Sequence, residues 1–365
     1  MGRKKFGTLL LLALAPLFGR LNHAQAEEAL KGTELERFRE SWRVLDPITR
    51  RNLSIYPVAS TIRVDTSEFL TLDEGVSSGA VRVMERGQME RAIYRRHGRW
   101  QERVPQFDGA SVNELVLVND SSRPLILLAG EVITGGKQNR IIGTDLVVPP
   151  KSDPVPLTVF CVEHGRWSGS TMSFGTAGAI AHPAIRMEAQ ANKSQAGVWD
   201  SVARLGEAYQ VRSATSSYED VVNSPQAKRA LDEATSSIEA KYERELRDQL
   251  RGQAAVGVVV AIDGELVWSD VFPNQELFHK YWPKLLRSYV MEAEGRAGDV
   301  KDAPSVKEAR AFLLEDLGRM TVEVEPGTYR RTEIAGKGFR IVALEALGKP
   351  ADPGLMVHYN KMARE

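Results

Sequence analysis

The stretch from 114 to 163 constrains the fold most, because it strings together four strand-like segments with only short breaks between them. Segments 114–118, 124–133, 141–148 and 155–163 are rich in β-branched residues and broken by Gly, Pro or Asn. The last three are apolar on both alternating faces, which predicts strands covered on both sides. Shorter strand signals precede them at 55–64, 80–85, 92–96 and 100–104, and others close the chain at 321–324, 329–334, 339–344 and 355–359.

Helical periodicity lies elsewhere. Leu35, Phe38 and Trp42 predict a helix over 35–45, and Val198, Val202 and Leu205 predict another. Ser224-Pro225 opens a long helix closing near Gly252, whose apolar stripe runs Ala227, Leu231, Ala234, Ile238, Tyr242, Leu246, Leu250. Phe278, Trp282, Leu285 and Tyr289 mark a further helix, and Ser305 with Glu308 forms a capping box before Phe312, Leu313 and Leu317. Asp263-Gly264, between 254–262 and 265–271, is a strong hairpin signal, since both turn residues tolerate positive φ.

Strands and helices are segregated rather than alternating, so the predicted class is α+β. A mostly antiparallel or mixed sheet core is expected in the first half, with helices and further hairpins in the second. The Gly, Ser and Ala-rich stretch 168–196 has no clear period and reads as a long loop. The expected organisation is an N-terminal helical segment at 27–50 and one large domain at 51–365. That domain divides into lobes 51–167 and 197–365, joined by the loop 168–196.

The first residues, Met1-Gly2-Arg3-Lys4-Lys5, lead into an apolar run from Phe6 to Phe18 and then Ala24-Gln25-Ala26. Charged start, short apolar middle and small-residue exit predict a signal peptide over 1–26, and so a periplasmic or extracellular protein. A membrane anchor would need about 20 apolar residues, and this run is interrupted by Pro16 and followed by Arg20. After cleavage no membrane attachment is expected. The leader carries four basic residues and no acid, which leaves 44 basic against 48 acidic in the remaining 339 residues. That balance lacks the basic footprint of nucleic-acid binding, so no nucleic-acid partner is expected. Cys161 is the only cysteine, so no internal disulfide can brace the fold.

Candidate chemistry clusters at two strand ends. In Gly130-Glu131 through Gly135-Gly136-Lys137-Gln138-Asn139-Arg140, glycines and cations follow a buried strand, an arrangement able to present N–H groups and charge to an anion. It is not a P-loop, because Gln138 stands where Ser or Thr must hold magnesium. In Cys161-Val162-Glu163-His164-Gly165-Arg166-Trp167, Cys161 reads either as a nucleophile or as a small buried hydrophobe. Cys161 and His164 lack a second ligand pair, so no metal is expected, and no cofactor fingerprint follows a strand. His182, His279 and His358 have no metal spacing and read as packed or solvated. The tetrapeptide His-Gly-Arg-Trp occurs at 97–100 and 164–167 with unmatched flanks, and reads as two turns rather than a repeat.

The strings Leu128-Ala129-Gly130-Glu131, Gly135 to Arg140, Cys161-Val162-Glu163 and Gly165-Arg166-Trp167 resemble a bacterial family of uncharacterised domains. It is the ARG and rhodanese-phosphatase-superfamily-associated protein domain family. The resemblance continues through Val198-Trp199, the Asp263-Gly264 hairpin, Trp282 to Tyr289 and Val357-His358, and so covers most of the chain. It implies company with ADP-ribosylglycohydrolases and rhodanese-like phosphatases, hence ligands bearing phosphate or ADP-ribose. It marks Glu131, Lys137, Gln138, Arg140, Cys161, Glu163, Arg166 and Trp167 as candidate positions.

Three functions are open on the sequence. The leading expectation is a domain binding a small anionic ligand, a phosphorylated sugar or a nucleotide, through Lys137, Gln138, Arg140, Arg166 and Trp167. Alternatives are a hydrolase with Glu131 and Glu163 as paired carboxylates, and an envelope interaction protein using the 224–252 helix.

Overall fold

The computed structural model describes residues 17–21, 34–85, 114–165, 173–250, 252–296, 302–348 and 354–364. Most of the segment 1–26 expected to be a leader, the strand expectations at 92–96 and 100–104, and both Arg166 and Trp167 lie outside the described residues.

In chain order the strands begin with β1 (Leu17–Leu21), β2 (Arg43–Val44), β3 (Ile48–Arg50), β4 (Leu53–Ser60), β5 (Leu70–Thr71), β6 (Val81–Glu85) and β7 (Glu114–Asn119). They continue with β8 (Leu125–Leu127), β9 (Glu131–Gly135), β10 (Arg140–Ile142), β11 (Leu146–Val148), β12 (Val155–Cys161) and β13 (Ser173–Ile180). The last six are β14 (Ala254–Ile262), β15 (Glu265–Val271), β16 (Gly318–Glu325), β17 (Tyr329–Gly336), β18 (Phe339–Ala346) and β19 (Leu355–Ala363). The α-helices are α1 (Glu34–Ser41), α2 (Leu72–Ser77), α3 (Pro183–Arg186), α4 (Gln195–Ala208), α5 (Tyr218–Asn223), α6 (Pro225–Leu250), α7 (Gln275–Gly295) and α8 (Val306–Leu314). A π-helix occupies Met187–Asn192. The class is α+β.

Two β assemblies organise the chain. A ten-stranded antiparallel sheet has the order β1-β16-β17-β18-β19-β15-β14-β4-β2, with β3 also on β4. A closed six-stranded barrel runs β10-β12-β7-β6-β13-β9. A small sheet, β11-β8-β5, lies beside it. Gly130, at φ +92, breaks the continuous run expected over 124–133 into β8 and β9. The stretch 168–196, expected to be a loop, carries β13, α3 and the π-helix. Its small residues suit close strand pairing, and β13 closes the barrel between β6 and β9.

Ladder register explains how the barrel is filled. Val83 opposes Leu117, Leu115 opposes Leu157, Val159 opposes Ile142, and Phe174 opposes both Val83 and Gly135. These share the lumen face and form one apolar cluster with Ile133. The alternate residues Val132, Ile141, Phe160 and Val162 point outward into the main core. There they meet a layer including α4, α6 and α7 that also covers one face of the large sheet, with Val258, Trp268, Phe272, Tyr281 and Tyr289 inside it. Helices α1 and α8 cover the other face, burying Leu35, Phe38 and Leu313 against Tyr56, Val259 and Tyr359. Each such side chain contributes about 1.5–3 kcal/mol.

Candidate functional site

Those sequence-predicted residues that are described separate into two groups at opposite ends of the β9–β10 hairpin. At the hairpin tip, Gly135 (φ +131) and Gly136 (φ +53) make the turn, and a Cβ on Gly136 would overlap the Phe174 ring. The turn leaves Lys137 exposed and buries Gln138, Asn139 and Arg140. Arg140 lies opposite Cys161 and also opposite Ile133, so its side chain falls on the lumen face at this barrel mouth. Gln138 and Glu163, each two residues along, fall on the same face.

Several backbone-directed contacts fix this mouth. The Glu163 carboxylate accepts from the Asn139 N–H at 3.3 Å and from the Thr215 hydroxyl at 3.2 Å. Asn139 donates its amide to Glu219 at 2.6 Å. The Gln195 side chain bonds both the N–H and the C=O of Cys161, at 2.8 and 2.9 Å, so it stands in for a neighbouring strand. Gln138 donates weakly to the His164 carbonyl at 3.5 Å, while its buried Oε1 has no hydrogen-bond partner among the described residues. His164 packs edge-on against Trp199, with centroids 4.4 Å apart. Burial raises the Cys161 thiol, and Arg140 only partly opposes that, so the protonated and poorly nucleophilic form is held.

Glu131 sits at the other end of the hairpin. Its carboxylate accepts from the Lys284 ammonium at 2.6 Å and from the Leu128 N–H at 2.8 Å. Lys284 also reaches Asp73 at 2.8 Å and lies 4.6 Å above the Tyr281 ring centre. Burial pushes the Glu131 carboxyl up, against the pull of Lys284. Burial also opposes charge on Lys284, but Glu131 and Asp73 outweigh it and keep the ammonium ionised. Glu131 and Glu163 thus engage different groups, Lys284 and Leu128 against Asn139 and Thr215, and the ladder sets them about four residues apart along the hairpin, roughly 13 Å of strand rise.

A third polar cluster joins the barrel to the large sheet. His358 on β19 holds Asp145 through Nδ1 at 2.7 Å and Asp270 on β15 through Nε2 at 3.1 Å. Arg186, at the end of α3, donates twice to Asp270, at 2.9 and 2.8 Å. Trp268, Asn360 and Tyr289 also donate to Asp270. Asp145 accepts from the Ala129 N–H at 2.7 Å and from Gln190 in the π-helix at 3.3 Å. None of Asp145, Asp270, His358 and Arg186 is exposed to solvent. A Cβ on Gly130 would sit 2.5 Å from Arg186 Cγ, so this glycine lets the arginine stem cross the strand turn.

Charge in this cluster balances. Burial would lower the His358 imidazolium, but Asp145 and Asp270 outweigh it and raise it to about 9. Burial would raise Asp270, but Arg186 and His358 hold it well below the ordinary carboxylate range. Two carboxylates thus meet two cations in a sealed site. Sequence reasoning read His358 as packed or solvated without its partners, and did not single out Asp145, Asp270, Arg186, Lys284 or Asp73. The available signal was a charged residue inside an apolar pattern: Lys284 before Leu285-Leu286, Asp270 before Val271-Phe272, His358 between Val357 and Tyr359.

Among the described residues, no group of three or more His, Cys, Asp or Glu is placed to hold a metal ion. Among the same residues, no helix is long and apolar enough to cross a membrane. No curated protein and no solved structure matches the chain. A family model matches residues 41–350, from the end of α1 to beyond β18, and so takes in the barrel, the hairpin glycines and most of the large sheet. The chain belongs to the ARG and Rhodanese-Phosphatase-superfamily-associated Protein domain family.

Proposed function

We propose that the chain is an exported binding domain that takes a small anionic ligand, a phosphorylated sugar or a nucleotide, at the barrel mouth beside the β9–β10 turn. The observation carrying this reading is the gathering there of exposed Lys137, buried Arg140 and the Gln138 amide, whose Oε1 lacks a hydrogen-bond partner among the described residues. A cation as buried as Arg140 acts in lower dielectric than water, which strengthens its pull on an anion. The spare Gln138 Oε1 is an acceptor, so it would orient a sugar or ribose hydroxyl of the ligand rather than the phosphate itself. Arg166 and Trp167 follow directly after this strand end and join the reading by sequence adjacency.

The other two readings draw less support. Glu131 is engaged by Lys284, and Glu163 by Asn139 and Thr215, at separate ends of the hairpin. The stripe on α6, from Ala227 through Leu246, is buried in the main core rather than offered to a partner. Titration calorimetry of the purified protein with phosphorylated sugars and nucleotides tests the proposal. Fractionation of the producing cells, with mass measurement of the recovered N-terminus, tests export and cleavage after Ala26.

A further inference from the structure

The outer edge of the large sheet is completed by an unusual strand. β1 pairs antiparallel with β16 in the register Leu17↔Val324 to Leu21↔Met320, centred on Gly19↔Val322. Those five residues lie within the segment read as a cleavable leader. Once the leader is removed, β16 becomes the sheet edge, with a row of backbone N–H and C=O groups open to pairing. On the side of β16 away from β17, among the described residues, no other strand lies beyond β1 to take its place.

We propose that the processed chain forms a two-fold dimer by pairing β16 with β16 of a second copy, a surface that Leu17–Leu21 covers before cleavage. The inference rests on reading residues 1–26 as a leader. A two-fold axis normal to the sheet keeps each residue on its own face, so only registers centred on a single residue are allowed. The register centred on Val322 reuses the residues that β1 covers. It sets Arg319 against Glu325 of the partner subunit, and Thr321 against Glu323 of the partner subunit. Met320 then meets Val324 of the partner subunit, apolar against apolar. The charges are complementary, and cross-strand pairs of this kind stabilise a sheet. Arg319 is exposed and offers its charge at this edge. Leu317, 61% exposed, stands at the start of the same edge. Strand addition at an open edge supplies main-chain hydrogen bonds for association, and the side chains set the register.

Analytical ultracentrifugation over a concentration series compares full-length chain with chain beginning at Glu27, both produced directly so that export is not needed. Dimer in the processed chain and monomer in the full-length chain is the expected result. Arg319→Glu and Glu325→Arg should each weaken the dimer about tenfold, because two symmetric attractions become repulsions. The double variant should restore it, and circular dichroism checks that each variant is folded. A processed chain that stays monomeric, equal dimerisation of both chains, or a double variant no better than the singles overturns the proposal. A chain recovered from cells with its leader intact would count against export, and this comparison would still stand.

Discussion

Arg186 and Asp270 face each other across the junction of barrel and sheet in a bidentate pair, Nη1–Oδ2 2.9 Å and Nη2–Oδ1 2.8 Å, with neither side chain exposed. Two charges out of water are tolerable only when each is paired and hydrogen-bonded. Arg186→Met keeps the aliphatic stem against Gly130 but strands Asp270 beside His358. Chemical denaturation should show a loss of about 3–5 kcal/mol, the usual cost of orphaning one partner of a buried pair. A change under about 1 kcal/mol would mean the junction is braced by packing alone.

His358 gives the same junction a pH signature. Its folded value, about 9, is above the ordinary imidazole value, 6.5, so the folded state binds the extra proton between them. Its stabilisation is full below pH about 6.5 and is lost as pH rises towards about 9, on the order of 3 kcal/mol in all. Lys361 acts with the opposite sign, because burial lowers it to about 8 and stability is regained above that pH. Urea midpoints between pH 6.5 and 8 should therefore fall in the native chain and stay level in His358→Gln, apart from the offset of the substitution itself.

Lys284 and Glu131 should behave as a coupled unit. Lys284→Met leaves Glu131 buried against apolar surroundings and should cost about 3–5 kcal/mol. Adding Glu131→Gln should recover part of that loss, and a double-mutant cycle measures the coupling. Strict additivity of the two substitutions would contradict the ion-pair description.

Glycine substitutions separate backbone strain from close packing. Gly130→Ala meets both a positive φ and the Arg186 stem, and should cost about 2–4 kcal/mol. Gly79, at φ +69 with nothing within 4 Å of an added Cβ, carries the backbone cost alone, about 1 kcal/mol for Gly79→Ala. Equal thermal shifts would show that Arg186 does not require the glycine.

Local chemistry made much of the fold legible. Asp263 and Gly264 adopt φ of +54 and +78 and join β14 to β15, as the dipeptide predicts. Ser305 and Glu308 form the expected reciprocal cap on α8. The stripe from Ala227 to Leu246 is buried along α6. Barrel closure was not legible, because the pairing of β13 with β6 and β9 links residues whose small side chains carry no period. At the site, the sequence pointed to Arg140, Cys161, Gln138 and Glu163, which do meet at one barrel mouth. It also grouped Glu131 with them, whereas that carboxylate turns to Lys284, 153 residues away. Long-range charge pairing leaves only a polar residue in an apolar stripe as its trace. Asp270 and His358 left that trace on two strands and Asp145 in the connection between β10 and β11, and periodicity alone does not connect them.

The barrel mouth is the central claim, and Lys137 offers the cleanest test because it is exposed and its loss should leave the fold intact. Titration calorimetry of the native chain and Lys137→Ala against phosphorylated sugars and nucleotides should give saturable binding. The variant should bind about tenfold more weakly, a difference of about 1.4 kcal/mol that shrinks as salt is raised. Identical isotherms for the two chains, or no heat with any phosphorylated compound, would contradict it.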